Sequence, residues 1–198
     1  MTLAINQSAE RNKVHIIPIL EEYSSPGDQV LEVASGTGQH GTFFCKRNAD
    51  VFWQPTEISQ VGLSNIEGHR LELGQDNFLP PKILDITQGS LPDSKPVQLM
   101  VNVNMIHISP WVCTQSLMKV AGELLADGGH LIMYGPYFER GFEPAQGNVD
   151  FDFWLKERNS EFGVRYLEDV VAEAESCGLR FVEKREMPAN NLIVVFCR

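Results

Sequence analysis

The sequence predicts an α/β fold with a mostly parallel, seven-stranded sheet, helices on both faces and an antiparallel C-terminal strand. Short apolar runs alternate with segments of helical periodicity, which is typical of a parallel sheet. A glycine-rich loop, Gly36-x-Gly38-x-x-Gly41, directly follows the first apolar run. The last two apolar runs are joined by a short turn, which predicts a hairpin. Residues 1–198 are expected to form one domain, because 198 residues bury one core but are few for two.

The charge of the chain limits its partners. Sixteen Lys and Arg residues stand against 26 Asp and Glu residues, a net charge of −10. Such a surface repels polyanions over a Debye length of roughly 8 Å at physiological salt. We therefore expect neither nucleic acid nor a membrane as a partner, although this net charge is compatible with a local basic patch.

Cysteine usage and the N-terminus indicate the compartment. Cys45, Cys113, Cys177 and Cys197 are widely spaced, without a Cys-x-x-Cys pair, so we expect reduced core thiols and no metal site. The apolar run 16–20 is too short for a signal sequence or a membrane span. A cytoplasmic protein is expected.

Residues 1–25 are predicted to carry an amphipathic helix. Val14, Ile17 and Leu20 follow a helical period, which Pro18 interrupts or restarts. The polar cluster Glu10-Arg-Asn-Lys13 is, on sequence alone, a solvated helix start.

The first strand, Val30 to Ala34, leads into the glycine loop, and a helix follows over Thr42 to Arg47. The three glycines are expected to allow φ > 0 and a close approach of ligand to backbone. Their spacing also fits a dinucleotide site, so it does not choose the cofactor. Glu32 lies within the apolar strand, where a carboxylate needs a cation or donors. Either a positively charged ligand or the loop amides would satisfy it.

The second strand, Val51 to Ile58, ends in an acid. Glu57 stands 21 residues after Gly36, close to the separation at which an acid reaches ribose hydroxyls. The alternative is an exposed acid at a strand end. Glu57 supports an adenosine-bearing cofactor without identifying the chemistry.

A helix over Ser64 to Gln75 precedes the third strand, Lys82 to Ile86. Asp85 near its end is either a ligand contact or a cap before Thr87.

The fourth strand, Val97 to Ile108, turns polar at its end. Asn104 and His107 emerge where open α/β sheets bind ligands. With an ordinary pKa of about 6.5, His107 is the candidate general base. A histidine merely packed beside Trp111 is an equal alternative.

The second half of the chain contains two helices and three strands. A helix over Thr114 to Ala126, capped by Thr114, precedes the fifth strand, His130 to Tyr134. Residues 135–163 are predicted to be an insert over the cleft, with a short helix over Phe151 to Arg158. Its aromatic residues either roof a pocket or pack the insert on the domain. A helix over Tyr166 to Cys177 and the strands Arg180 to Arg185 and Leu192 to Cys197 end the chain.

The sequence Glu32-x-Ala-Ser-Gly-Thr-Gly38 resembles the first motif of class I S-adenosylmethionine-dependent methyltransferases, and Asp85 matches their adenine-facing acid. The chain further resembles a small methyltransferase-like family of predicted methyltransferases with unknown substrate. The residues that suggest this are Glu10-Arg-Asn-Lys13, Ala34-Ser-Gly-Thr-Gly-Gln-His40, Trp53-Gln-Pro55, Asn104-Met-Ile-His-Ile-Ser-Pro-Trp111, Tyr134-Gly-Pro136 and Met187-Pro-Ala-Asn-Asn191.

The resemblance implies a Rossmann-like class I methyltransferase fold, with S-adenosylmethionine as cofactor. It implies cofactor contacts at Glu32, Ala34, Ser35, Gly36, Thr37, Gly38, Glu57, Ile58, Asp85, Ile86, Asn104 and Met105. An N-terminal helix covers the cleft in that family. The implied acceptor pocket comprises Arg11, Asn12, Trp111, Tyr134, Tyr137, Asn190 and Asn191, beside His107.

The predicted function is methyl transfer from S-adenosylmethionine to a small-molecule acceptor. One alternative is a non-catalytic S-adenosylmethionine-binding or interaction module on the same fold. An NAD(P)-dependent oxidoreductase is the weaker alternative, because it leaves Glu32, Asp85 and the terminal hairpin without a reason.

Overall fold

A computed structural model describes residues 3–91 and 95–198. The strands are β1 Gln29–Val33, β2 Phe52–Glu57, β3 Lys82–Ile83, β4 Val97–Val103, β5 Leu125–Phe138, β6 Arg165–Tyr166, β7 Arg180–Met187 and β8 Asn191–Cys197. The helices are α1 Gln7–Glu22, α2 Gln39–Arg47, α3 Gln60–Leu73, α4 Trp111–Leu124, α5 Gln146–Arg158 and α6 Leu167–Ser176. Short 3₁₀ turns cover Ile86–Gln88 and Pro188–Asn190.

The strands form one sheet in the order β3-β2-β1-β4-β5-β8-β7. Only β8 runs against its neighbours, β5 and β7. This mostly parallel sheet with an antiparallel C-terminal strand confirms the predicted fold class. The two-residue strand β6, which pairs with β5, is an addition to the seven strands predicted. The chain order reverses between β1 and β4, and ligands of open α/β sheets bind at such a switch point.

Hydrophobic clusters cover both faces of the sheet. On one face, Met100 packs with residues of α4 and α6 such as Leu117 and Val170. On the other, Leu99 packs with residues such as Ile16 of α1 and Phe44 of α2. Burial on both faces explains why the central strands are continuous apolar runs.

The predicted interruption of the first helix is wrong. Helix α1 passes through Pro18 without a break. Proline leaves the carbonyl four residues earlier, that of Val14, without its helical partner. Val14 and Pro18 both lie on the exposed side of α1, where water can take over that carbonyl.

The boundaries around α4 also differ from prediction. The helix begins at Trp111, so Thr114 is a buried residue inside it and not its cap. The predicted stop at Asp127-Gly-Gly129 lies within β5. Backbone bonds between these glycines and Arg198 continue the sheet there. Strand β4 ends at Val103 because Asn104 takes a left-handed φ of 57°.

Candidate active site

The glycine loop joins β1 to α2 through alternating left-handed residues. Ala34, Gly36 and Gly38 have φ values of 59°, 59° and 80°. Gly41, predicted to turn the loop, lies instead inside α2. Glycine is needed at this position because there is no room for a side chain: a Cβ there would stand 2.5 Å from the indole nitrogen of Trp53.

The side chain of Glu57 is hydrogen-bonded to the glycine loop. The backbone N–H of Gly36 donates to Glu57 Oε2 at 2.9 Å, and the N–H of Ile58 donates to Oε1 at 2.8 Å. Gly62 makes room for this carboxylate, because a Cβ there would collide with Glu57 Cγ. The carboxylate keeps a free lone pair on Oε2.

Glu32 lies below the loop and not at its mouth. Its side chain is 1% exposed, and Oε2 accepts a hydrogen bond from Trp53 Nε1 at 3.1 Å. Burial raises the pKa of Glu32 to about 7, and hydrogen bonds from Ser35 and Trp53 oppose that rise. Protein side chains therefore satisfy Glu32, in place of the two partners that the sequence suggested.

A buried polar chain runs from Glu32 to the N-terminal helix. His40 Nδ1 lies 3.8 Å from Glu32 Oε1, and His40 Nε2 lies 2.8 Å from Asn12 Oδ1. Burial lowers the pKa of His40 to about 4, so His40 and Glu32 form a neutral pair near pH 6. Asn12 also lies near the hydroxyl of Tyr134, whose pKa is raised by burial and lowered in part by Asn12. The sequence analysis did not select His40; its place in the first helical turn after the glycine loop was the available signal.

Asp85 caps the 3₁₀ turn that follows β3, which is one of the two roles that the sequence allows for it. Its Oδ1 accepts from the backbone N–H and the hydroxyl of Thr87, at 3.0 and 2.7 Å. Oδ2 accepts no bond from the described residues and stays available to a ligand. Ile86 and Met105, by contrast, belong to the apolar core.

Two apolar side chains at the same sheet edge are exposed. Ile58, just after β2, is 59% exposed, and Ile83 on β3 is 62% exposed. Strands β2 and β3 pair there, with Glu57 opposite Ile83. An apolar surface thus lies beside the acid.

A cavity of about 860 Å³ opens at the carboxyl ends of β4 and β5. Helix α1 supplies one wall, and helix α5 and the turn between β7 and β8 supply others. The lining residues selected from the sequence are Arg11, Asn12, Asn104, His107, Tyr134, Asn190 and Asn191. Phe151, also in the lining, is one of the insert's aromatic residues for which the sequence left open a place at a pocket. Those that were not selected from the sequence are Asn6, Ser8, His15, Ile108, Pro136, Gly147, Asn148, Pro188 and Ala189.

His107 forms part of the inner wall of this cavity. Its side chain is 3% exposed, and its ring packs edge-on against Phe151 at 5.5 Å between centroids. Nδ1 is buried without a hydrogen-bond partner among the described residues. Burial lowers the pKa of His107 to about 4, with Arg165 contributing, so the ring is neutral at pH 7.

Two predicted pocket residues lie elsewhere. Tyr137 points to the opposite face of β5 from Tyr134, because the two are an odd number of residues apart along a strand. Burial in the core raises the pKa of Tyr137. Trp111 begins α4 and lies under the guanidinium of Arg165, 5.7 Å from it, in a separate cleft.

The cysteines are all free, and of the four only Cys45 is fully buried, so the prediction of core thiols holds for one. Across residues 3–91 and 95–198, no cluster of three or more His, Cys, Asp or Glu side chains is arranged to hold a metal ion. In the same ranges, no helix combines the length and apolar character needed to span a bilayer.

Solved structures share this fold at low sequence identity. The chain resembles the mitomycin 7-O-methyltransferase MmcR, with a TM-score of 0.78 and 14% identity over 95% of this chain and 54% of MmcR. It resembles an O-methyltransferase family 2 protein from Planctomyces limnophilus DSM 3776, solved with apigenin, with a TM-score of 0.77 and 15% identity over 96% and 62% of the two chains. For the pyocyanin biosynthetic protein PhzM, the TM-score is 0.76 and the identity 16%, over 96% and 55%. The chain thus spans little more than half the length of these proteins.

A family model covers nearly the whole sequence. Residues 4–198 match the model described as "Protein of unknown function (DUF938)". The match includes the glycine loop and every segment that lines the cavity. The chain therefore belongs to the DUF938 family.

Proposed function

We propose that this protein is an S-adenosylmethionine-dependent methyltransferase that acts on a small-molecule acceptor. The observation that carries the proposal is the 2.9 Å hydrogen bond between the Gly36 N–H and Glu57. It brings the acid against the glycine loop at the end of β1, and β1 pairs with β4, whose end leads into the cavity. The solved methyltransferases of the same fold support the proposal.

The residues at this edge fit the cofactor. Glu57 would accept from ribose hydroxyls through its free lone pair, and Ile58 and Ile83 offer an apolar surface to the adenine. Asp85 Oδ2 is available to the adenine amino group. The backbone of Ala34 to Gly38 would lie against the methionine portion, where Gly36 and Gly38 add no side-chain bulk. Bound there, S-adenosylmethionine would supply an electrophilic methyl group.

The protein's main contribution is to position the acceptor and exclude water. Positioning of reactants can supply about 7–11 kcal/mol of a barrier. We propose that Arg11, Asn12, Asn104, Tyr134, Asn190 and Asn191 surround the acceptor. The walls come from α1, α5 and the hairpin turn, and a bound acceptor would displace water from between them.

His107 is the residue we propose to receive a proton from an acceptor hydroxyl. Its neutral ring can accept one at pH 7, but a pKa of about 4 makes it a weak base. The site therefore suits an acceptor that is acidic or already ionised.

Nothing in the described residues favours the oxidoreductase or the non-catalytic module, and an antiparallel β8 is unusual for a dinucleotide site.

Calorimetric titration with S-adenosylhomocysteine, with NAD and NADP in parallel, tests the cofactor assignment. We expect binding of S-adenosylhomocysteine alone, weakened about ten- to hundredfold in Glu57→Ala, or about 1.4–2.7 kcal/mol. Glu123→Ala, an exposed carboxylate on α4, is the matched control and should bind normally. Binding of a nicotinamide cofactor in its place would refute the proposal.

Transfer of a labelled methyl group into an extract of small metabolites tests the activity. We expect label in a small molecule with the wild type and strongly reduced incorporation with His107→Gln. An unchanged rate and pH profile in His107→Gln would exclude His107 as the base. Cofactor binding without any transfer would favour the non-catalytic module.

A further inference from the structure

The polar stripe of α1 faces the cavity. Ser8, Arg11, Asn12 and His15 recur at the spacing of one helical face, and all four line the cavity. Ile17 and Leu20, on the side of α1 that faces away from this stripe, are fully buried against the sheet. The polar face of this helix therefore contributes to a binding site.

The charge of this cavity is opposite to that of the whole molecule. Within the ranges that the structure describes, no aspartate or glutamate lines it, although the chain carries 26 of them. Arg11 supplies the cationic side chain of the described lining, which also contains the imidazoles of His15 and His107. A cationic acceptor would find no counter-charge there, and burying an unpaired ammonium ion is costly.

The Arg11 guanidinium is free to bind a ligand. Its protein partner among the described residues is the Ser8 hydroxyl, at 3.1 Å. Several other arginines on the surface are paired with carboxylates, as Arg47 is with Glu21 and Arg140 with Asp169. A guanidinium that presents its remaining N–H groups to a cavity matches the geometry of a carboxylate or phosphate.

Amide groups of the lining add further donors. The side chains of Asn104 and Asn190 make no hydrogen bond with described residues, and both lie at the cavity. Asn190 stands on the turn between β7 and β8, across the cavity from α1. Phe151 and Tyr134 provide aromatic surface between these polar groups.

We propose that the acceptor is a small organic anion, and that Arg11 binds its negatively charged group. This inference rests on the proposed function, since it takes the cavity to be the acceptor site. It adds the charge class of the acceptor and names Arg11 as the residue that selects it.

The test uses matched aromatic probes on the full-length protein saturated with S-adenosylhomocysteine. Benzoate and phenyl phosphate are anionic, benzyl alcohol is neutral and benzylamine is cationic at pH 7. Affinities are measured by saturation-transfer NMR and calorimetry. We expect at least one anion to bind tenfold or more tightly than benzyl alcohol, and benzylamine to bind most weakly. The preferred anion then shows whether a carboxylate or a phosphate is selected.

Arg11→Gln should weaken binding of the anion at least tenfold and leave the affinity for S-adenosylhomocysteine within twofold. Arg11→Lys should retain part of the anion affinity. Arg180→Gln removes the same charge from an exposed site at the far end of β7 and should behave as wild type. This control separates local binding from a change in net charge.

The outcomes separate this inference from the proposed function. Equal or tighter binding of benzylamine, the absence of any anion preference, or equal behaviour of Arg11→Gln and Arg180→Gln would overturn the acceptor class, even when S-adenosylhomocysteine binds. Anion binding that depends on Arg11 in a protein without affinity for S-adenosylhomocysteine would support the anion site and refute the methyltransferase.

Discussion

Gly41 sets how closely α2 approaches the sheet. A Cβ at this position would stand 2.5 Å from both Trp53 Nε1 and Phe78 Cε2. Trp53 and Phe78 are fully buried. Because Trp53 also donates to Glu32, the missing side chain at Gly41 is part of what holds the buried carboxyl in place.

Gly41→Ala is predicted to destabilise the fold. In an exposed helix, alanine gains about 1 kcal/mol over glycine. Here overpacking against two buried rings costs about 1–3 kcal/mol, and the rings have no room to yield. We expect a lower unfolding free energy by urea denaturation. Gly68→Ala in α3 is the control, because its Cβ would meet only the flexible end of Leu3; equal stability of the two variants would contradict the argument.

Gly62→Ala is predicted to act on the cofactor site and not on the fold. The new methyl group would displace Glu57 from its contact with the Gly36 N–H. We expect the affinity for S-adenosylhomocysteine to fall about tenfold, or ~1.4 kcal/mol, by calorimetry. Gly68→Ala lies two turns further along the same helix and should bind normally. An unchanged affinity in Gly62→Ala would show that the position of Glu57 does not matter for binding.

At the scale of elements, alternation of apolar runs was enough to predict the sheet and its final hairpin. The misplaced boundaries share a cause: tertiary contacts override local signals. Asp127-Gly-Gly129 is a stop signal for a helix, yet pairing with Arg198 makes it part of β5. Thr114 is a good cap in isolation, but α4 starts earlier, after Pro110.

Asn148 connects α5 to the terminal hairpin. Its side-chain amide donates to the carbonyl of Asn190 at 3.0 Å and, at 3.4 Å, to that of Tyr137. Ala189 and Asn190 have left-handed φ values of 59° and 58°, a conformation that is strained for residues other than glycine. Asn148 thus helps to hold a strained turn at the wall of the cavity.

Asn148→Ala is predicted to loosen this turn. Losing the buried amide leaves acceptors unpaired, at a cost of about 1–3 kcal/mol. We expect faster amide hydrogen exchange at residues 189–192 and weaker binding of the anionic probe, with exchange in β1 unchanged. Asn159→Ala, which removes an exposed local bond to Glu161, is the control. Equal amide-exchange protection of residues 189–192 in both variants would show that Asn148 does not hold the turn.

At the scale of the molecule, three buried groups shape the pH dependence of stability. Burial lowers the pKa of His40 and His107 to about 4, so the unfolded chain binds more protons there and stability rises with pH up to about 6.5. Burial raises the pKa of Glu32 to about 7, so the folded chain binds the extra proton. The stabilisation of the fold that this proton on Glu32 provides is present at low pH and is lost as the pH rises through 7. We expect these three groups to give maximal stability near pH 6.5.

Glu32→Gln is predicted to remove the loss of folding stability that Glu32 causes at higher pH. Each pKa unit corresponds to about 1.4 kcal/mol, so the wild type should lose on the order of 3 kcal/mol from Glu32 between pH 5 and 8. The variant keeps an acceptor for Trp53 and should be the more stable protein at pH 8. Urea denaturation at both pH values measures the difference, with Glu123→Gln as control. A wild type and variant with parallel pH profiles would show that Glu32 ionises normally.

The sequence predicted the residues that meet at the glycine loop better than those that line the cavity. Gly36, Glu57 and Asp85 follow consecutive strands at spacings that sequence alone reveals. The cavity draws on five separate segments, and which side chains meet there depends on helix rotation and strand parity. Tyr137 and Tyr134 show this, since one residue of register decides which face each occupies. Nothing in the local sequence around Asn148 or His15 predicts that these residues line the cavity.

The cavity has a further consequence for how the protein is made. Its walls include α1 and the turn at 188–190, so one wall is synthesised well before the other. Translation proceeds at about 5–20 residues per second, so α1 and the glycine loop leave the ribosome on the order of 10 s before the turn does. During that interval α1 presents its polar stripe to water with no opposite wall. The glycine loop is therefore available to fold early, but the proposed acceptor site is complete only once residues 188–191 have been synthesised.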